Sequence, residues 1–340
     1  MKANRPYIIA EISANHKGSL DNALQLLDDA VWAGADAVKF QTFTPDSITV
    51  NATDPYKIPV SSDLWRGMDL WELMDKAKTP RDWFPILFDR ARFLGIDVFS
   101  TPYDKSALDF LVELGVDTIK ISSFDVANTP FLRAVAEKNL TVILSTGMST
   151  YDEVANAVGT LNPFCKNLIL LKCTSSYPCA SRDLNLLGIQ TLKKSFDLEV
   201  GFSDHSTSSL GATIAITLGA SVFEKHIRLV GDDKGLDSAF SADKFELRDY
   251  IKTIREVQVC LGRSELAPVE SEKASIWERP SVIALTDIYP GDIFSNKNIG
   301  IRRPYIGSSP SKLEEILGKT CLRTHKKGEG IVQDSYSTMF

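Results

Sequence analysis

Residues 6–43, PYIIAEISANHKGSLDNALQLLDDAVWAGADAVKFQTF, decide the fold. PYIIAEIS (6–13) and DAVKFQTF (36–43) are short runs of strand composition. Between them LDNALQLLDDAVWAGA (20–35) repeats its apolar residues at helical spacing and stops at a glycine. Two strands joined by a helix of that length read as a parallel pair with a crossover. The rhythm continues through DVFSTPY (97–103), TIKISSF (118–124), TVILSTG (141–147), LILLKCTS (168–175), EVGFSDHS (199–206) and SVFEKHI (221–227). RDWFPILFDRARFLG (81–95) and KSALDFLVELG (105–115) supply further crossover helices. Eight such runs predict an α/β fold, a closed (β/α)8 TIM barrel over residues 1–263. An open doubly wound sheet is disfavoured, because no GxGxxG follows the first strand.

Residues 51–80 interrupt the rhythm after the second strand and carry Trp65 and Trp71; they read as a lid or as a plain surface excursion. Residues 264–280 are polar and read as a linker. Residues 281–340 carry short strands and many turn residues, a small β-rich module with too little core to stand alone.

The chain has 340 residues, 44% hydrophobic and 24% charged, which excludes a disordered protein. Lys and Arg number 38 and Asp and Glu 44, so the formal net charge is −6. An acidic surface argues against nucleic-acid and anionic-membrane partners, but not against an anionic small substrate held by a few cations in one pocket. The five cysteines include no CxxC pair and read as reduced thiols of a cytoplasmic protein. Glu11 breaks the N-terminal apolar run, so it does not read as a signal peptide, and no stretch reaches membrane-spanning length.

The C-terminal strand ends of a TIM barrel carry its site. Polar residues gather there: Glu11, Ser13, Asn15 and His16; Lys39 and Gln41; Ser100 and Thr101; Lys120, Ser122, Ser123 and Asp125; Ser145 and Thr146; Lys172, Thr174 and Tyr177; Ser203, Asp204 and His205; Glu224, Lys225 and His226. Polar side chains inside apolar strands are costly unless satisfied or used. Two of the four histidines, His205 and His226, end adjacent strands. Together they suggest a divalent metal site, with local hydrogen bonding as the plainer reading. Glu11 closes the ring beside them, placed to hold water or to act as an acid or base. Lys39 and Lys120, with the hydroxyls around them, suit a phosphate or carboxylate. Internal salt bridges and a Schiff-base lysine stay open as rivals. Cys173, next to Thr174 on the sixth strand, could approach the site but is read as packing, and Arg302 and Arg303 are read as surface charges.

Taken together, IIAEISANHKGSL, GADAVKFQTFTPDSI, FSTPYDKSALDFL, IKISSFD, ILSTGMST, LLKCTSSYP, GFSDHS, EKHIRL, GLDSAFSAD and IRRPYIG resemble the sialic acid synthase family, a barrel followed by an antifreeze-like (SAF) domain. The resemblance covers nearly the whole chain. It implies condensation of phosphoenolpyruvate with an amino-sugar aldehyde, releasing phosphate. By motif, it makes His205 and His226 ligands of a divalent metal, Mn²⁺ first and Mg²⁺ or Co²⁺ as alternatives, and Glu11 the carboxylate ordering its water. It makes Lys39, Thr101, Lys120, Ser123, Ser145 and Ser203 phosphoenolpyruvate contacts, and Gln41, Tyr177 and Asp237 sugar contacts. Asp125 stands where many members have Glu. Arg303 matches an arginine that reaches into the partner subunit's site, so a domain-swapped homodimer is implied. TFTPDSITV, LWRGMDLWELMDKAKTPRDW, KISSFD and LKCTSSYP resemble the pseudaminic acid branch. That branch implies 2,4-diacetamido-2,4,6-trideoxy-altropyranose as acceptor, with Phe124 an apolar neighbour for its methyl group; neuraminate and legionaminate synthases are the alternatives. A Schiff-base aldolase and a non-catalytic carbohydrate- or ice-binding protein are more distant readings.

Overall fold

The computed structural model describes residues 5–60 and 62–337, and the chain divides into two compact units, Met1–Gly262 and Arg263–Phe340. In the first, eight parallel strands close into one barrel: β1 (Tyr7–Glu11), β2 (Ala37–Thr42), β3 (Asp97–Pro102), β4 (Thr118–Ile121), β5 (Thr141–Ser145), β6 (Asn167–Cys173), β7 (Glu199–Asp204) and β8 (Val222–His226). Glu11 is the register partner of Lys39 on one side and of His226 on the other, which closes the ring. The helices are α1 (Leu20–Ala33), α2 (Pro45–Ile48), α3 (Leu70–Ala77), α4 (Phe84–Leu94), α5 (Lys105–Glu113), α6 (Thr129–Ala136), α7 (Tyr151–Leu161), α8 (Gly188–Phe196), α9 (Leu210–Thr217) and α10 (Lys244–Leu261). Their ends follow local chemistry. Ser19 accepts from Asn22 N to start α1, Gly34 at φ 92° ends it, and Asp243 with Glu246 forms the capping box of α10.

Two cores result from the period-2 alternation of strand side chains. Outward residues such as Ile8, Ala10, Val38 and Phe40 pack against the helices. Inward residues Ile9, Ala37, Phe99, Ile143, Ile169, Leu171 and Val222 plug the barrel. One step further along seven of the eight strands, the inward positions turn polar: Glu11, Lys39, Thr101, Lys120, Ser145, Ser203 and Glu224. Gly201 sits where β7 crowds β8: a Cβ there would lie 2.2 Å from Val222 O and 2.6 Å from Leu171 Cδ2.

The same alternation corrects part of the sequence reading. Ser100, Lys172, Asp204 and Lys225 have the opposite parity and face away from the barrel mouth. Ser100 bonds Thr42 Oγ1 at 2.7 Å, and Lys172 Nζ donates to Cys173 O at 2.7 Å. Asp204 takes Ser206 N at 2.8 Å and Tyr250 OH at 3.1 Å, while Lys225 Nζ donates to the carbonyls of Asp204 and Ser206. They brace strand ends from behind.

In the second unit, residues 270–278 form an exposed 3-10 stretch, followed by antiparallel β9 (Ser281–Ala284) and β10 (Ile299–Arg302) and the short α11 (Leu313–Ile316). Val282, Ile288, Phe294, Ile299, Ile316 and Ile331 form its own small core. Among the described residues no helix is long and apolar enough to cross a membrane.

Candidate active site

A cavity of about 390 Å³ opens at the C-terminal end of the barrel strands. Its floor is a buried charge cluster. Lys39 pairs with Glu11 from the neighbouring strand. Glu224 lies 3.7 Å from both Lys39 Nζ and Lys120 Nζ and accepts from Ser203 Oγ at 2.9 Å. Lys39 also donates to Thr101 Oγ1 at 3.2 Å. Two carboxylates and two ammonium groups thus neutralise one another. Burial raises the Glu11 carboxyl against the pull of Lys39. Burial pushes Glu224 up as well, but Lys120 and Lys39 outweigh it and hold it well below the usual range. Lys120 is pulled down by burial. A self-neutralised set of this kind can exchange internal partners for the oxygens of an anionic ligand.

Beside it stand the two histidines, with ring centroids 5.4 Å apart. His205 Nδ1 contacts Thr174 O at 2.9 Å. A carbonyl can only accept, so Nδ1 carries the proton, and in the neutral ring Nε2 keeps a lone pair. His226 Nδ1 is buried without a hydrogen-bond partner, 3.8 Å from Asp237 Oδ2. Burial and the neighbouring cations hold His226 far below the ordinary histidine range, while the Cys173 thiol and Thr174 carbonyl lift His205 against its burial. An orphaned imidazole nitrogen and a second one fixed by a carbonyl suit a cation as a two-nitrogen set. Among the described residues no group of three or more His, Cys, Asp or Glu is arranged to hold a metal ion.

The cavity brings together Lys39, Gln41, Thr101, Lys120, Ser123, Ser145, Tyr177, Ser203, His205, His226 and Asp237. Ser123 Oγ accepts from Gly147 N at 2.9 Å, Ser145 Oγ is buried and unpartnered, and Asp237 Oδ2 accepts from Ala14 N at 3.4 Å. The Tyr177 ring lies 4.4 Å from His205.

Three predicted residues are not among the lining residues of this cavity. Glu11 does not line the cavity; it is fully buried, its carboxylate engaged by Lys39. Asp125 sits on the turn after β4, half-buried, 3.5 Å from Asn128 Nδ2, with its carboxyl raised to about 6 by burial, and it also stays off the lining. Arg303 belongs to the second unit, where it is exposed.

Two residues not counted as site residues do line the cavity. Glu224 shares the parity of His226 on β8, a signal present in the sequence. Cys173, expected as packing, faces the cavity 3.9 Å from His205 Nδ1, because it has the parity of Leu171. Burial raises its thiol, and His205 and Lys120 bring it down to about 7. Residues 51–80 add an apolar part of the lining, including Ile58, Val60 and Trp65, and Ser13, Tyr103, Ser122, Phe124 and Phe240 join it from the strand ends and loops.

Residues 26–266 match the NeuB family and residues 279–336 the SAF domain. A pseudaminic acid synthase of Campylobacter jejuni is 39% identical over 335 residues, 97% of this chain and 96% of that protein. An N,N'-diacetyllegionaminic acid synthase of Legionella pneumophila is 36% identical over 320 residues, 92% of this chain and 89% of that one. The crystal structure of an N-acetylneuraminic acid synthetase from Leptospira borgpetersenii, in complex with citrate, superposes with a TM-score of 0.72 at 34% identity, covering 80% of this chain and 90% of that one. With its barrel matched through all but the first strand and its C-terminal module matched separately, this chain belongs to the NeuB family and carries a SAF domain.

Proposed function

We propose that the protein condenses phosphoenolpyruvate with an amino-sugar aldehyde to give a nonulosonic acid and inorganic phosphate. The favoured acceptor is 2,4-diacetamido-2,4,6-trideoxy-altropyranose, giving pseudaminic acid. One observation carries the reading: Lys39 and Lys120 sit within one cavity beside the histidine pair, ringed by Thr101, Ser145 and Ser203. Two ammonium groups with hydroxyl donors match a ligand bearing both phosphate and carboxylate. Glu224 keeps the two lysines apart and charged until the anion replaces it.

In the reaction the enol carbon of phosphoenolpyruvate bonds to the aldehyde carbon. Water adds at the carbon bearing phosphate, and the C–O bond breaks to release phosphate. His205 and His226 would hold the divalent metal, proposed as Mn²⁺, which supplies Lewis-acid polarisation of the aldehyde oxygen. Tyr177 and Asp237 orient the sugar, and Phe124, two-thirds exposed on the lining, offers it an apolar edge. The proposal extends to a cytoplasmic homodimer in which Arg303 of the partner subunit completes the site. Light scattering and complementation between Arg303→Ala and His226→Ala chains test that part.

The deciding experiment measures phosphate release from phosphoenolpyruvate with Mn²⁺, with the trideoxy-altrose acceptor and N-acetylmannosamine in parallel. Release with the first alone, abolished by EDTA, is the expected result. His226→Ala should lose both the release and Mn²⁺ binding followed by electron paramagnetic resonance. Release with N-acetylmannosamine alone would move the chain to the neuraminate reading. Trapping of pyruvate by borohydride on Lys120 or Lys39, with activity surviving EDTA, would replace the reading by a Schiff-base one.

A further inference from the structure

The cavity lining is of two kinds. One part carries the charges. The other is built by Ile58, Pro59, Val60, Trp65, Leu70 and Leu73 from the excursion between β2 and α4. None of these side chains has a polar group free to meet a ligand: Trp65 Nε1, the single one present, donates to Leu236 O at 2.8 Å. Two main-chain bonds tie its ends together, Leu70 N to Ile58 O at 2.9 Å and Val60 N to Met68 O at 3.4 Å. Ile58 nevertheless remains 49% exposed, a large apolar side chain at the rim of an otherwise charged pocket.

The wall is tied to one end of the site. Leu236, which takes the Trp65 bond, precedes Asp237, and the Trp65 ring lies 6.1 Å from Tyr177. Both Asp237 and Tyr177 stand with the histidines, Asp237 Oδ2 at 3.8 Å from His226 Nδ1 and Tyr177 at 4.4 Å from the His205 ring. At its far end the excursion is pinned by Trp71 Nε1 to Asp46 Oδ1 at 2.8 Å.

We infer that this wall selects the acceptor, taking sugars whose terminal carbon is a methyl group and refusing a hydroxymethyl group at the same place. The inference rests on the condensation reading and adds its specificity determinant. A methyl laid on the wall gains by leaving water. A hydroxyl laid there loses its water partners and finds none, which in apolar pockets discriminates by about 100-fold at most.

The test compares the trideoxy-altrose acceptor with the same sugar carrying its 6-hydroxyl, in the wild type and in the double variant Ile58→Ser, Val60→Thr. The wild type should favour the deoxy sugar by roughly tenfold or more in kcat/KM. The variant should narrow that ratio at least about fivefold through the sugar KM, leaving the phosphoenolpyruvate KM and Tm unchanged. Trp65→Phe, which keeps the ring and loses the bond to Leu236, should raise the sugar KM alone. Turnover with an unchanged ratio in both variants would overturn the wall while leaving the condensation standing. No turnover in the wild type with any acceptor would overturn both.

Discussion

Replacing Glu224 by glutamine keeps the shape of the side chain and its bond to Ser203 but removes the charge shared by two buried lysines. Each ammonium lies 3.7 Å from that carboxylate. At an effective dielectric of about 20, such a pair is worth about 4.5 kcal/mol before desolvation is counted. Lys39 retains Glu11, so the loss falls on Lys120, already pulled down by burial. A lysine can shed its proton rather than stay unpaired, which at about pH 7 caps the cost near 4.6 kcal/mol, some 3.4 pH units at about 1.36 kcal/mol each. Broken buried pairs cost about 3–5 kcal/mol, within the same bound. For a unit of 262 residues, an unfolding entropy of about 2.1 cal/mol/K per residue converts that loss into a Tm drop of about 5–9 °C. Calorimetry of Glu224→Gln, Lys120→Met and the double variant measures it. The double variant should recover most of the stability lost in Glu224→Gln, since Lys39 and Glu11 still balance. A drop worth under about 1 kcal/mol, or losses that add in the double variant, would show that Glu224 does not neutralise Lys120.

Gly201→Ala drives a Cβ to 2.2 Å from Val222 O, a backbone atom that cannot yield without opening the barrel; chemical denaturation should show a loss of about 3 kcal/mol or more, or no soluble protein. Cys173 lines the cavity and Cys260 is exposed, so phosphoenolpyruvate should slow iodoacetamide labelling of the first several-fold and leave the second untouched, as read by peptide mass spectrometry. In the second unit His325 is buried with both ring nitrogens unpartnered, facing Arg323, Asp334 and Glu329. Burial, then Arg323, lowers its pKa, so stability is complete above the ordinary histidine value of about 6.5 and falls as pH drops below it, where the unfolded chain takes the proton first. His325→Phe should shrink the Tm difference between about pH 7.5 and about pH 5.5, a range that spans that value.

Strand composition and helical spacing were enough to read the barrel, because each element states its own period. Which side chains share a space was less legible, since it depends on parity and on register between strands. Parity was available: His226 inward implies Glu224 inward and Lys225 outward, and Leu171 inward implies Cys173 inward. Cys173 reads as packing or as site because a thiol is apolar enough to pass for core, and its parity alone puts it on the lining. Register was not available. That Glu11 faces Lys39 across β1 and β2, and is spent on it rather than on the cavity, depends on a pairing no single strand encodes. The apolar wall was the hardest part, being neither strand nor long helix; Trp65 and Trp71 flagged the excursion without showing that one indole reaches Leu236 and the other Asp46.

The four charges beneath the cavity sum to zero, and the chain as a whole carries −6. Before any cation is bound, an anion a Debye length away therefore gains little from this cluster, and the net charge of the chain repels it. Capture becomes a matter of collision and local partner exchange, with an association rate near the unsteered range of about 10⁵–10⁶ M⁻¹s⁻¹. Added salt, which slows proteins that draw their anions in from afar, should leave this entry unchanged or slightly faster.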